Sequence, residues 1–160
     1  MGKMIPPSRK SCYNFRVVKI NRVVDGDTID VTIDLGFDLL KKERVRIAGV
    51  DTPEKRTRDK EEKVLGIDAT NWMKSKLEGA IKGGEELTIR TELKGGVGKY
   101  GRLLGWLYIN DDIVSLNEQM IKEGYAWDYD GGTKKKDFEE LKKIRREFGS
   151  IEENNEWDAT

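Results

Sequence analysis

The sequence predicts a mainly β domain with helices (α+β), a small five-stranded barrel of the OB type carrying three helices. Three observations lead there. Residues 15–50 hold three β-rich runs joined by short turns, one long helical periodicity follows, and two more β-rich runs precede the terminal helices. Strands grouped in this way suit a small closed barrel better than the strict strand–helix alternation of a parallel sheet.

Taken in order, residues 1–14 read as an irregular basic arm with Pro6-Pro7 and no periodicity. Val17, Val18, Ile20, Val23 and Val24 give residues 15–24 the β-propensity of a first strand. Asp25-Gly26-Asp27-Thr28 is a turn sequence. In the second strand Ile29, Val31 and Ile33 alternate with Asp30, Thr32 and Asp34. Gly36-Phe37-Asp38 reads as a loop and Arg44 to Val50 as the third strand.

Residues 55–62 are all charged except Thr57 and read as a loop. Val64/Leu65, Ala69, Trp72/Met73, Leu77 and Ala80 then recur at helical steps, stopped by Lys82-Gly83-Gly84. Leu87 to Ile89 and Leu103 to Ile109 are the fourth and fifth strands. Between them, Lys94-Gly95-Gly96-Val97-Gly98 forms a glycine-rich loop. Ser115 with Glu118 three residues on predicts a capped helix ending at Gly124. Residues 125–132 read as irregular, and Phe138, Leu141, Ile144 and Phe148 mark a last helix over 137–148. The domain therefore spans 15–149, with an acidic tail at 150–160.

One hundred and sixty residues suffice for one core, although 36% apolar against 38% charged residues predicts a thin core under a solvated surface. Thirty basic and thirty acidic residues cancel, but unevenly: residues 1–22 carry six basic side chains and no acid, and residues 150–160 carry four acids and no base. Both ends read as solvated chain termini. With Cys12 alone, no intrachain disulfide can form. The absence of histidine excludes imidazole bases and ligands. No apolar run approaches membrane-spanning length and no secretory leader is visible, so a cytoplasmic chain without membrane partners is expected.

Chemistry concentrates in three short stretches. Arg46 interrupts the apolar third strand on the face opposite Val45 and Ile47, and a buried guanidinium needs an anionic partner. Either a structural ion pair or a phosphate clamp answers that need. Asp51-Thr52-Pro53-Glu54 ends the strand with two carboxylates. Asp27 is a third, which a simple Asp-Gly hairpin turn would not require. Asp27, Asp51 and a backbone carbonyl would form an incomplete shell of hard oxygens suited to Ca²⁺ or Mg²⁺. Lys99-Tyr100-Gly101-Arg102 offers a second arginine at another strand edge, or a plain basic turn.

Val23 to Thr28, Val45-Arg46 through Asp51-Thr52-Pro53-Glu54, and Lys99 to Arg102, in that order and spacing, resemble the staphylococcal nuclease (thermonuclease) family. Asn117-Glu118 followed by Gly124-Tyr125-Ala126 is similar to the family's segment after the fifth strand, and the likeness runs from about residue 16 to about residue 148. The resemblance implies a five-stranded Greek-key barrel of the OB type and a Ca²⁺-dependent, sugar-nonspecific nuclease. Its substrates would be DNA and RNA, single-stranded by preference, and the protein a monomer. By that resemblance Asp27 and Asp51 bind one Ca²⁺ (or another divalent ion) by carboxylate and Thr52 by its carbonyl. Glu54 orients or deprotonates water, Arg46 and Arg102 hold the phosphate, and Lys99, Tyr100 and Tyr129 contact substrate. The neutral charge departs from the secreted relatives, which tend to be basic and carry a signal peptide, and the stretch from Tyr125 to Lys134 is similar to phage and bacterial members without a secretion signal. Two other readings stay open, a non-catalytic OB module that binds nucleic acid or protein, and a barrel whose charges merely pair.

Overall fold

The computed structural model describes residues 4–92, 102–134 and 136–158. After a 3-10 turn at Arg9–Ser11, five long strands form a closed barrel in the order β1-β2-β3-β6-β5. They are β1 (Cys12–Asp25), β2 (Thr28–Asp34), β3 (Leu40–Ile47), β5 (Leu87–Glu92) and β6 (Leu103–Ile109). All neighbours are antiparallel except β3 and β6, which run parallel over three residue pairs. A separate two-stranded sheet pairs β4 (Val50–Asp51) with β7 (Trp127–Asp128). Three helices, α1 (Lys60–Lys82), α2 (Leu116–Lys122) and α3 (Phe138–Asp158), complete the chain.

The first strand is longer than its β-propensity suggested because it serves two partners. Its first five residues pair with β5, and the stretch from Arg16 onward pairs with β2. Register shifts at Val17/Lys19, Ile20/Arg22 and Val23/Asp25 bend it between them. Irregular pairing of this kind also blurs a clean two-residue alternation in the sequence.

Asp59 caps α1, its carboxylate accepting from the Glu61 and Glu62 amides at 3.0 and 3.2 Å, so the helix starts inside the charged run read as loop. Leu65, Ala69, Met73, Leu77 and Ala80 face the core while Val64 is exposed. In α2 the Ser115 hydroxyl accepts from the Glu118 amide, as the capping pattern predicts. Helix α3 continues ten residues past the expected end at Phe148, so most of the acidic tail has a helical backbone.

The core joins the inward faces of the barrel strands to α1 and α2, with Ile29, Val45, Ile47, Met73, Leu107 and Met120 essentially inaccessible. One amide closes its critical seam. The Asn117 side chain accepts from the Leu107 amide at 3.0 Å and donates to the carbonyls of Ala48 (2.8 Å) and Gly105 (3.0 Å). Asn117→Ala would leave the Leu107 amide and the Ala48 carbonyl to find other partners, while the Gly105 carbonyl still accepts from the Ala48 amide at 3.0 Å. At about 1–3 kcal/mol for each group left buried and unsatisfied, a loss of about 2 kcal/mol or more is expected, read as a lower urea midpoint.

Candidate functional site

The third strand does not run to Val50 as its apolar pattern suggested. It ends at Ile47, and Gly49 (φ +76°) turns the chain so that Val50 and Asp51 pair with β7. That conformation suits glycine and strains any residue with a Cβ. The break points Asp51 back toward the two-residue turn between β1 and β2, which carries Asp27. Gly26 in that turn does not need positive φ; a Cβ there would lie 2.9 Å from Ala69 Cβ and 2.9 Å from Thr52 Cγ2. The glycine admits close contact with α1 and the Asp51–Thr52 segment.

Arg46 is buried and sits between two carboxylates. Its Nη2 lies 3.5 Å from Asp27 Oδ2 and 3.8 Å from Asp51 Oδ1, and its Nη1 donates to the carbonyls of Ile47 (3.0 Å) and Asp27 (3.3 Å). Asp27 also accepts from the amide and hydroxyl of Thr52 at 3.2 and 3.0 Å, and its Oδ1 from the Thr28 hydroxyl. Two like charges are thus held together under one guanidinium. Burial pushes the Asp51 carboxyl up from its ordinary value; the Asp27 charge adds to the rise, while Lys134 and Arg46 pull the other way.

The register of β3 and β6 places Leu104 beside Arg46, and Arg102, two residues earlier, falls on the same face. Arg46, Arg102, Leu104, Tyr129 and Lys134 line one cleft of about 360 Å³. Tyr129 is fixed by its amide, which donates to the Gly49 carbonyl at 2.9 Å, and its ring centroid lies 5.9 Å from the Arg46 guanidinium carbon. Thr52 is buried beside the carboxylates and Glu54 is exposed on the segment that follows. Lys99 and Tyr100 lie outside the described residues.

Three further residues shape this site that the motifs did not indicate. Lys134 places its ammonium 3.5 Å from Asp51 Oδ1 and 6.0 Å from the Tyr129 ring centre. It belongs to the run Lys134-Lys135-Lys136, in which sequence gives no reason to choose one lysine. Glu62 is buried and accepts from the Glu54 amide at 3.2 Å. Asp59-Lys60-Glu61-Glu62 carries a helix-start pattern that would have flagged it. Gly66 meets the same segment, because a Cβ there would come within 2.7 Å of the Glu54 carbonyl and the Lys55 amide nitrogen.

The donor set suits a hard cation. Asp51 Oδ1 is buried without a hydrogen-bond donor, and Asp27 presents a second carboxylate close by. Among the described residues no three acidic, cysteine or histidine side chains gather into a ready cage. A bound ion would therefore complete its shell with carbonyl, water or ligand oxygens, as hard divalent cations commonly do.

Residues 44–149 match the family described as Staphylococcal nuclease homologue. The chain is 35% identical over 123 residues to a thermonuclease of Staphylococcus intermedius, covering 75% of this chain and 65% of that one. It is 34% identical over 133 residues to the SPbeta prophage-derived endonuclease YokF of Bacillus subtilis, covering 78% and 41%. An uncharacterized protein of Methanocaldococcus jannaschii is 32% identical over 143 residues, covering 81% and 66%. The chain thus spans between two fifths and two thirds of the length of these relatives.

A carboxyl raised in the folded state penalises folding when ionised, fully above the raised value and not at all below the unfolded one. In EDTA, Asp51→Asn should therefore melt above wild type at neutral pH. The advantage should vanish as pH falls through the carboxylate range; a lower melting temperature at neutral pH would show that the ion pairs outweigh burial.

Proposed function

The chain belongs to the staphylococcal nuclease family, and from that premise we propose that it is a Ca²⁺-dependent, sugar-nonspecific nuclease hydrolysing phosphodiester bonds of DNA and RNA. One observation carries the reading. A buried arginine and two carboxylates, one of them with a buried oxygen that makes no hydrogen bond, meet at the edge of a cleft that holds a second arginine. A barrel needing only structural ion pairs has no reason to bury an acid whose ionised form is disfavoured.

Each residue has a physical task in this reading. Asp27 and Asp51 would hold the ion by carboxylate and Thr52 by its carbonyl. Ca²⁺, when bound, supplies positive charge that offsets the charge growing on the phosphate oxygens. Arg46 donates from the cleft edge and Arg102 from the neighbouring strand, so two guanidinium groups bracket a phosphate entering between them. Glu54 orients the attacking water or takes its proton, from a backbone position held by Glu62 and backed by Gly66. Tyr129 offers a flat face beside the phosphate position, and Lys99 and Tyr100 are assigned to substrate contact by the family resemblance alone. These contacts address phosphate rather than base edges, so sequence specificity is low. Single strands reach the cleft without a duplex to open.

The direct test is cleavage of single-stranded DNA by wild type and Glu54→Ala, with Ca²⁺, Mg²⁺ and EDTA in parallel. Expected is Ca²⁺-dependent cleavage that falls about 10²- to 10⁴-fold in the variant. Tight binding with no cleavage in any metal would instead favour the non-catalytic module. A site of two carboxylates and one carbonyl should bind weakly, with half-maximal activity on the order of 10⁻⁴ to 10⁻³ M Ca²⁺. Half-saturation near or below roughly 10⁻⁶ M would contradict this donor set.

A further inference from the structure

The N-terminal arm forms part of the cleft. Met4 packs with Leu104 against a small apolar cluster of Ala48, Trp106 and Tyr108, and its Cβ lies 3.4 Å from where a Cβ on Gly49 would be. It lines the same cleft as Arg46, Arg102 and Tyr129. The arm is also tied down. Arg90 Nη1 donates to the Pro7 carbonyl at 3.3 Å and to the Tyr108 hydroxyl at 3.4 Å, and the Arg90 guanidinium carbon lies 4.5 Å from the Tyr108 ring centre. The Ser11 amide donates to the Ser8 carbonyl at 3.0 Å, turning the chain into β1. Met4 and Pro7 both precede the family match, which begins at residue 44.

The cleft's charged groups and its apolar groups can do different work. Guanidinium groups suit a phosphate, and phosphate contacts carry no information about the base attached to it. Met4 and Leu104 give the cleft an apolar surface beside those charges. A polarisable, unbranched thioether adapts to flat rings of varied shape. At about 360 Å³ the cleft is within the usual range for a small ligand such as one nucleotide.

We propose that Met4 is a substrate-contacting residue whose side chain rests on the base of the nucleotide beside the cleaved phosphate. Met4 then sets how tightly a base-bearing strand is held, while the barrel performs the hydrolysis. This rests on the nuclease reading above.

The test compares wild type, Met4→Ala and Met4→Leu on a short single-stranded oligonucleotide and on the same strand made abasic throughout. Steady-state KM and kcat are measured with Ca²⁺, and fluorescence anisotropy gives Kd in EDTA. Expected for Met4→Ala is a KM and Kd raised about fivefold on the base-bearing strand, with kcat within about twofold of wild type and the abasic strand nearly unaffected. Met4→Leu should recover most of the loss. Unchanged KM and Kd, or an equal loss on both strands, would overturn the proposal while leaving the nuclease reading intact. Wild type that binds without cleaving would overturn the nuclease reading, and the Kd comparison alone would then decide the role of Met4. Absence of both binding and cleavage would overturn both.

Discussion

Everything near the cleft depends on the way β3 and β6 are sealed together. Among the described residues they share three parallel pairs, extended by the Ala48 amide donating to the Gly105 carbonyl at 3.0 Å, and beyond these β3 breaks so that Asp51 can leave the barrel. The Asn117 amide supplies what the broken ladder lacks, one acceptor and two donations to backbone groups that have no water to turn to. Gly105 keeps the seam tight; a Cβ there would lie 2.6 Å from Ile89 Cδ1 and 2.9 Å from Val45 Cγ1. Once the seam is fixed, the relative positions of Arg46, on one strand, and Arg102, at the edge of the other, are fixed with it.

The site itself is built against local stability. Asp27 and Asp51 share one guanidinium, and Asp51 keeps a buried oxygen approached only loosely, by Lys134 at 3.5 Å and Arg46 at 3.8 Å. Hydrogen bonds from Thr28 and Thr52 satisfy Asp27 much better than anything satisfies Asp51. This asymmetry separates the two carboxylates by role. One is anchored by hydrogen bonds as part of the fold, and the other is buried with little to neutralise it. Lys134 partly fills that need from a half-exposed position across the cleft.

The family match and the geometry overlap without coinciding. Arg46, Asp51, Glu54, Arg102 and Tyr129 fall inside residues 44–149, whereas Asp27 and Met4 precede them. The Asp27 turn is bound to the matched region by backbone as well as side chain, since the Ile47 amide donates to the Asp27 carbonyl at 2.8 Å. Met4 reaches the cleft from a segment that the barrel does not need for closure. The arrangement brings a residue from outside the matched region to the same cleft as Arg46 and Arg102.

The amino-acid sequence by itself determined the strand and helix order, the caps at Ser115 and Gly124, and the residues with the right chemistry for a phosphate site. Those features are local: alternation, helical spacing and capping act within a few residues, and an arginine among β-formers stands out wherever it occurs. Short-range patterns could not show that β3 breaks at Gly49, because Val50 continues its apolar run and only the pairing with β7 redirects it. They were equally silent about Gly66, Lys134 and Met4, whose importance comes from what lies across the fold rather than beside them in the chain. Tertiary structure decided that Lys134 would face Asp51, that Gly26 serves close packing rather than turn geometry, and that Met4 lines the cleft beside the arginines. Each is a contact between segments far apart in the chain, fixed by barrel closure and by no property of the residues alone.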